Sequence, residues 1–345
     1  MSLLQETCGA ITGRSLKIGQ HIFNSWNAES PVELYGRLVD VVAQYGAATN
    51  QEQVTVPKPC MIIASADHGV ADMGVSAYPK ETTVGMTQNY LIPKGAGANS
   101  LANYCGAQME VIDMGIDADM SWVPGLRSHK LGMGTKNFVE EPAMTREQAI
   151  EGIEIGIRLV KEKIDEGFNV FLVGEMGISN TTASALMTAK FAGLTAEEAT
   201  GRGTNISDER LKLKQRIVHD VLEKYKDIPK DDAIGILSSV GGFEFACIVG
   251  VILGAAANNG LVIIDGFNTS ACALVAKTLV PEVMDYVMAS HLSAEKAAKS
   301  SLENLGLEAY VDLGLCLGEA SGSSVQMGML DLAVHMYLAI TGGKA

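Results

Sequence analysis

The sequence has no Cys-x-x-Cys pair and no histidine near a cysteine at zinc-ligand spacing, although it holds six cysteines, Cys8, Cys60, Cys105, Cys247, Cys272 and Cys316. That excludes a finger or ribbon type of zinc site, and no metal is expected. The cysteines read as small buried hydrophobes in a reducing compartment. No apolar run is long enough to span a bilayer; the longest, Phe245 to Ala257, is too short and rich in Ala and Gly, which suits close helix packing. The N-terminus lacks the basic start and apolar core of a secretory leader, so a soluble, cytoplasmic protein without a membrane partner is expected. Positive charge is also scarce. With 26 Lys and Arg against 40 Asp and Glu, the net charge of −14 excludes a broad surface for nucleic acid or anionic lipid. An anionic ligand would have to be held by local donors. No Gly-x-Gly-x-x-Gly follows the first apolar strand, which argues against a nicotinamide dehydrogenase and leaves no cofactor to expect.

What the chain does have is alternation. In 345 residues, 47% of them hydrophobic and 37 of them Gly, short apolar runs alternate with helix-like segments. The runs predict strands at Cys60–Ala64, Met109–Asp113, Val170–Val173, Ile234–Leu237, Leu261–Ile264 and Tyr310–Val311. Helices long enough for a crossover lie between most of them, as at Arg146–Glu166 and Asp208–Tyr225. Continuous apolar strands linked by helices predict an α/β fold with a parallel sheet covered on both faces. Both chain ends read as helical, with a helix over residues 1 to about 24 and others at Ala294–Leu305 and Ser324–Ile340. The expected organisation is a large α/β domain over 25–295 and a small helical domain from 1–24 plus 296–345.

Ligands of such sheets bind beyond the carboxyl ends of the strands. Those predicted ends carry Asp67 and His68, Asp113, Glu175, Gly241 and Gly242, and Asp265. The segment NVFLVGEMGISNTT, residues 169–182, is the most specific of them: a buried strand delivers Glu175 and then Met176, Gly177, Ser179, Asn180, Thr181 and Thr182 to a helix start. Free N–H groups there favour an anion, so a phosphorylated small molecule is the first candidate ligand. Three further loops are rich in turn and polar residues. One runs from Asp67 to Pro79, one is Gly201-Arg202-Gly203-Thr204 with Lys214 ten residues on, and one is Gly318-Glu319-Ala320-Ser321-Gly322-Ser323.

Taken together, DHGVADMGVSAYPKE (67–81), GEMGISNTTASA (174–185), GRGT (201–204), LSSVGGFE (237–244), DGFNTSACAL (265–274), ASHLSAE (289–295) and DLGLCLGEASG (312–322) resemble the nicotinate-nucleotide:dimethylbenzimidazole phosphoribosyltransferases, the CobT family. The motifs keep that family's order across nearly the whole chain. The resemblance implies a Rossmann-like parallel sheet domain flanked by helices, with a small helical domain from both chain termini, usually in a dimer. It also implies transfer of 5-phosphoribosyl from nicotinate mononucleotide to an aromatic base, giving nicotinate and an α-ribotide for the lower ligand of cobamides.

On that resemblance Glu319 is the general base and Glu175 the second active-site glutamate. Gly177, Asn180, Thr181 and Thr182 would offer donors at a helix start, with Gly203 and Lys214 as further candidates for the phosphate or carboxylate side; Asp265 is the candidate for a ribose hydroxyl and Met176 a further substrate contact. Ser290 and His291 fall in the ASHLSAE match, while Ser76, Tyr78 and Leu317 match the pocket for the incoming base. The departures concern that pocket. Gly85 stands where the family commonly has a glutamine, with Gln88 three positions on. Asn205 and Ala320 replace glycines, and Leu292 stands where Arg or Gln is common. Dimethylbenzimidazole is the leading acceptor; a phenol- or p-cresol-activating relative, or the partner subunit of a heterodimer, is the alternative.

Overall fold

The structure is a computed structural model and describes residues 1–343. Six strands form one parallel sheet: β1 (Pro59–Ala66), β2 (Gln108–Gly115), β3 (Arg127–Ser128), β4 (Val170–Met176), β5 (Leu261–Ile264) and β6 (Val287–Ala289), in the order β3-β2-β1-β4-β5-β6. That is the Rossmann order. The strand sequence reverses direction between β1 and β4, where such sheets open a crevice at their carboxyl ends. All eight residues of β1 are buried, so both faces of the sheet are covered at its centre. In register, Ala64 of β1 lies opposite Glu175 of β4, which brings the ends of the two central strands side by side.

Two strands were placed differently by the sequence. Ile234–Leu237 lies in a helix, Ala233–Val240, all of whose residues are buried. A helix buried all round has no polar face, and a short stretch of it looks like a buried strand. Gly241 and Gly242 therefore follow a helix rather than a strand. Tyr310–Val311 makes only an isolated bridge, Val311 with His291. The sheet is completed by β3 and β6, of two and three residues, too short to carry a periodic signal.

The helix Phe243–Ala257 packs along Arg146–Asp165 and against β1, β2, β4 and β5. Gly250 allows that approach, since any side chain there would collide with the Ile153 carbonyl. The N-terminal segment forms two helices, Leu3–Ala10 and Leu16–Glu29. The first lies against Arg146–Asp165 and Phe243–Ala257; the second packs with Arg37–Ala48 and the long terminal helix Ser321–Thr341. Trp26, wholly buried, fills the centre of that group between Tyr35 and Tyr337, with ring centroids 5.0 and 5.7 Å away. The helix Ala298–Leu305 packs instead on Phe267–Leu279 and Asn180–Ala192. Among the described residues no helix is long and apolar enough to cross a membrane. Three cysteines, Cys60, Cys247 and Cys272, are buried as expected, but Cys316 is exposed, in the loop that leads to Glu319.

Candidate active site

Glu175 stands at the end of β4, buried, and is held by two amides. Asn180, the first residue of the helix Asn180–Ala192, donates to one carboxylate oxygen, and Asn268 donates to the other at 2.9 Å. Asn268 also donates to Asn180 Oδ1 at 3.1 Å and accepts from Ser184 Oγ at 2.7 Å. Burial pushes the Glu175 carboxyl up to about 7, against the pull of the two amides and with help from the charges of Glu244 and Asp265. Glu175 therefore changes charge near neutral pH.

The loop carrying Glu319 folds directly over β4. A Cβ on Gly174 would lie 2.5 Å from the Ala320 amide nitrogen, so only glycine lets the loop sit there. A Cβ on Gly318 would lie 2.8 Å from Glu175 Oε1, which places the two glutamates at neighbouring positions of one cleft. Glu319 and Ala320 have φ of 59° and 61°, a left-handed turn that favours glycine. Asn205, with φ of 57°, meets the same demand and tolerates it better. Asp265, at the end of β5, locks the turn: its Oδ1 accepts from the amides of Gly322 and Ser323 at 2.5 and 3.0 Å, capping the helix Ser321–Thr341. Asp265 thereby fixes the backbone that follows Glu319. Burial pushes the Asp265 carboxyl up to about 6, against those amide bonds. Ser290 and His291 support the same turn from behind. Ser290 Oγ donates to the Asp265 carbonyl and lies 3.2 Å from His291 Nδ1, and His291 packs against Gly322. Burial lowers the His291 pKa.

Burial also pushes the Glu319 carboxyl above the ordinary glutamate range. The Tyr90 hydroxyl pulls the other way by its nearness, without reaching hydrogen-bonding geometry; it is buried and has no partner. Tyr90 belongs to the helix Thr82–Leu91, whose other end is tied to the β4 loop by Ile178 N donating to Thr83 Oγ1 at 3.2 Å. That helix thus runs from the Glu175 loop to Glu319. Gly85 and Gln88 lie between those ends, Gly85 exposed with nothing within 4 Å of a built Cβ, Gln88 half-buried one turn on. Tyr78 and Leu317 are exposed at 56% and 58%, and Met176 is half-buried. These side chains leave apolar surface exposed.

The second residue of the helix that begins at Asn180 serves a different neighbour. Thr181 Oγ1 accepts from Lys214 Nζ at 2.8 Å. Lys214 is 1% exposed and forms no salt bridge among the described residues. A buried ammonium without an anion is costly unless a ligand supplies one. Burial holds Lys214 down to about 8, with the Glu295 charge acting the other way. Gly203 lies beside this pair: a Cβ there would be 2.8 Å from Thr181 Oγ1 and 3.4 Å from Lys214 Nζ. Ser76 reaches the same loop through Thr204, with hydroxyls 3.3 Å apart. Asn180 and Thr181, adjacent at one helix start, therefore link the Glu175 carboxylate to the Lys214 side chain.

Asn268 and Tyr90 were not singled out as site residues by the sequence, and His68, noted there at a strand end, was not paired with Glu244. Asn268 sits in the first turn after a strand-end Asp-Gly, a pattern that could have flagged it. The pair could not be foreseen, because its members are 176 residues apart. His68 Nε2 lies 2.6 Å from Glu244 Oε1, both wholly buried, packed against Gly177 and Gly242 beneath the Glu175 loop. Burial alone would lower the His68 pKa, but the charge of Glu244, aided by Asp67 and Glu175, overrides it and raises the value. A raised His pKa contributes stability below the unfolded value of about 6.5, and that contribution is lost as pH rises through the folded value. Glu244→Gln should therefore cost about 3–5 kcal/mol near pH 6 and less at alkaline pH, read from urea unfolding at both.

Two buried carboxylates and a buried lysine thus gather at the switch point of a doubly wound sheet, where α/β enzymes bind their ligands. A family model described as phosphoribosyltransferase matches residues 24–342. The nicotinate-nucleotide–dimethylbenzimidazole phosphoribosyltransferase of Geobacter sulfurreducens is 43% identical over 310 residues, 90% of this chain and 88% of its own. That of Geotalea uraniireducens is 42% identical over 306 residues, 89% of this chain and 86% of its own. The crystal structure of CobT from Thermus thermophilus superposes with a TM-score of 0.88 at 32% identity, covering 95% of this chain and 99% of that one. The chain belongs to this phosphoribosyltransferase family.

Proposed function

We propose that the chain transfers the 5-phosphoribosyl group of nicotinate mononucleotide to a flat azole base, with 5,6-dimethylbenzimidazole the leading acceptor, as a step of cobamide assembly. The observation that carries this reading is the helix start at Asn180 and Thr181, which holds a carboxylate on one side and an unpaired buried lysine on the other. A phosphorylated sugar bridges those two ends. Its phosphate meets Lys214, Thr181 and the Gly203 loop, and its C1′ lies toward the glutamates.

The reaction needs little else. Nicotinate leaves as the electrons of the C1′–N bond return to a pyridinium nitrogen, so it needs no proton. The azole attacks C1′ from the opposite face with a ring-nitrogen lone pair, inverting β to α, and its other nitrogen gives its proton to Glu319. Burial fits Glu319 for this task, because a carboxylate of raised pKa is closer to the azole. Glu175, in its ionised form, stabilises positive charge developing on the ribose, and its two amides fix its direction. Tyr78, Met176 and Leu317 wall the acceptor, and the open space at Gly85 makes the pocket permissive.

Nicotinate release should be followed by chromatography with dimethylbenzimidazole, adenine, phenol or p-cresol offered in parallel. Release with the benzimidazole, and weaker release with adenine, is expected. Release with the phenols alone would overturn the acceptor assignment, and the relatives compared above give that alternative no support. A dimer belongs to the same proposal, and light scattering of the purified chain checks it.

A further inference from the structure

Glu295 has no part in the chemistry above, yet it touches the anion end of the cleft. Its Oε1 accepts the Gly203 N–H at 2.8 Å. Its Oε2 is buried and has no partner, lying against Gly201 so closely that any side chain at that position would collide with it. The carboxylate thus occupies the space beneath the Gly201–Thr204 loop. Its own backbone is anchored elsewhere. Ala294 N donates to the Leu315 carbonyl at 2.9 Å and Leu292 N to the Val311 carbonyl at 2.8 Å, pairing the Leu292–Glu295 segment with the stretch that leads to Glu319. Thr204, on the far side of the clamped loop, accepts from Ala77 N at 2.9 Å.

We propose that Glu295 is a positioning residue that clamps the Gly201–Thr204 loop beside Lys214 and ties it to the loop carrying Glu319. The inference rests on the reading of Lys214 as the phosphate end. A carboxylate suits the task for two reasons. It accepts a backbone amide more strongly than a neutral group does. It also favours the buried ammonium of Lys214 without forming a salt bridge with it, so the lysine stays available to the substrate. The clamp acts on binding of the phosphorylated substrate through the loop and touches no reacting atom.

The test is steady-state kinetics of Glu295→Ala, Glu295→Gln and Lys214→Ala, with unfolding midpoints measured alongside. Glu295→Ala is expected to raise the KM for nicotinate mononucleotide by about 10- to 100-fold, the range for a lost charge-assisted bond, with kcat and the acceptor KM changed less. Glu295→Gln, which keeps an acceptor oxygen but loses the charge, should recover part of the loss, with KM within about 10-fold of the parent and below that of Glu295→Ala. If Glu295→Ala does not fold, Glu295→Asp replaces it, because its shorter side chain falls short of the Gly203 amide and raises KM in the same way. A parent-like KM in the folded Ala or Asp variant overturns the clamp while Lys214→Ala still shows its own defect. A parent-like KM in Lys214→Ala overturns the phosphate reading and the clamp with it.

Discussion

Glu319→Gln is expected to lower turnover by about two to four powers of ten while the KM for nicotinate mononucleotide stays near that of the parent. Glutamine keeps the volume and one acceptor oxygen of the side chain, so the left-handed turn capped by Asp265 should survive. What it loses is the ability to take the azole proton as the new bond forms. Because proton transfer belongs to the transition state, the defect falls on kcat and on kcat/KM alike. The same argument sets the acid side of the pH profile. Glu319 works only as a carboxylate, and burial places its pKa above the ordinary glutamate range, so kcat should fall as pH drops through that raised value. Glu319→Gln should lose its part of that dependence, while the Glu175 carboxyl, at about 7, keeps an acid limb of its own. Stopped-time chromatography of nicotinate release across pH measures both, and near-parent turnover would remove Glu319 from the role of base.

Lys214→Ala should act on binding, raising the KM for nicotinate mononucleotide by about two powers of ten or more, the scale for a buried charged partner. The substrate phosphate would then enter a site without the Lys214 ammonium, in a protein of net charge −14. The lysine also sets the alkaline limb. Held down to about 8 by burial, it loses its proton above that pH, and kcat/KM should fall about tenfold for each unit beyond it. Lys214→Arg keeps its charge throughout that range and should flatten the limb even if binding weakens. An alkaline limb unchanged by Lys214→Arg would assign the titration to another group.

The strand–turn–helix around Glu175 was legible because each part has a local signal: a continuous apolar strand, a glycine stop, then small hydrogen-bonding residues before an Ala- and Leu-rich helix. The parallel sheet followed from the same alternation, and its two shortest strands were lost for want of length. Ile234–Leu237 misled because a helix buried on every side shows the composition of a strand; Asp232, capping that helix by accepting from Gly235 N at 2.9 Å, was the local sign of the correct assignment. Lys214 could be noted in the sequence as a cation, but not its burial, since it lies in a strongly charged helix, Asp208–Lys224, that reads as a solvated one. Long-range pairs were the least accessible. Asn268 on Glu175, Glu244 on His68 and Glu295 on Gly203 depend on the sheet order to meet.

The most direct test of phosphoribosyl transfer at this site is proton NMR of the products from nicotinate mononucleotide and dimethylbenzimidazole with the purified chain. The expected result is one nicotinate for each new ribotide, with the anomeric proton showing the α configuration. A β product, or nicotinate released to water without any ribotide, would contradict inverting attack by an azole deprotonated at Glu319.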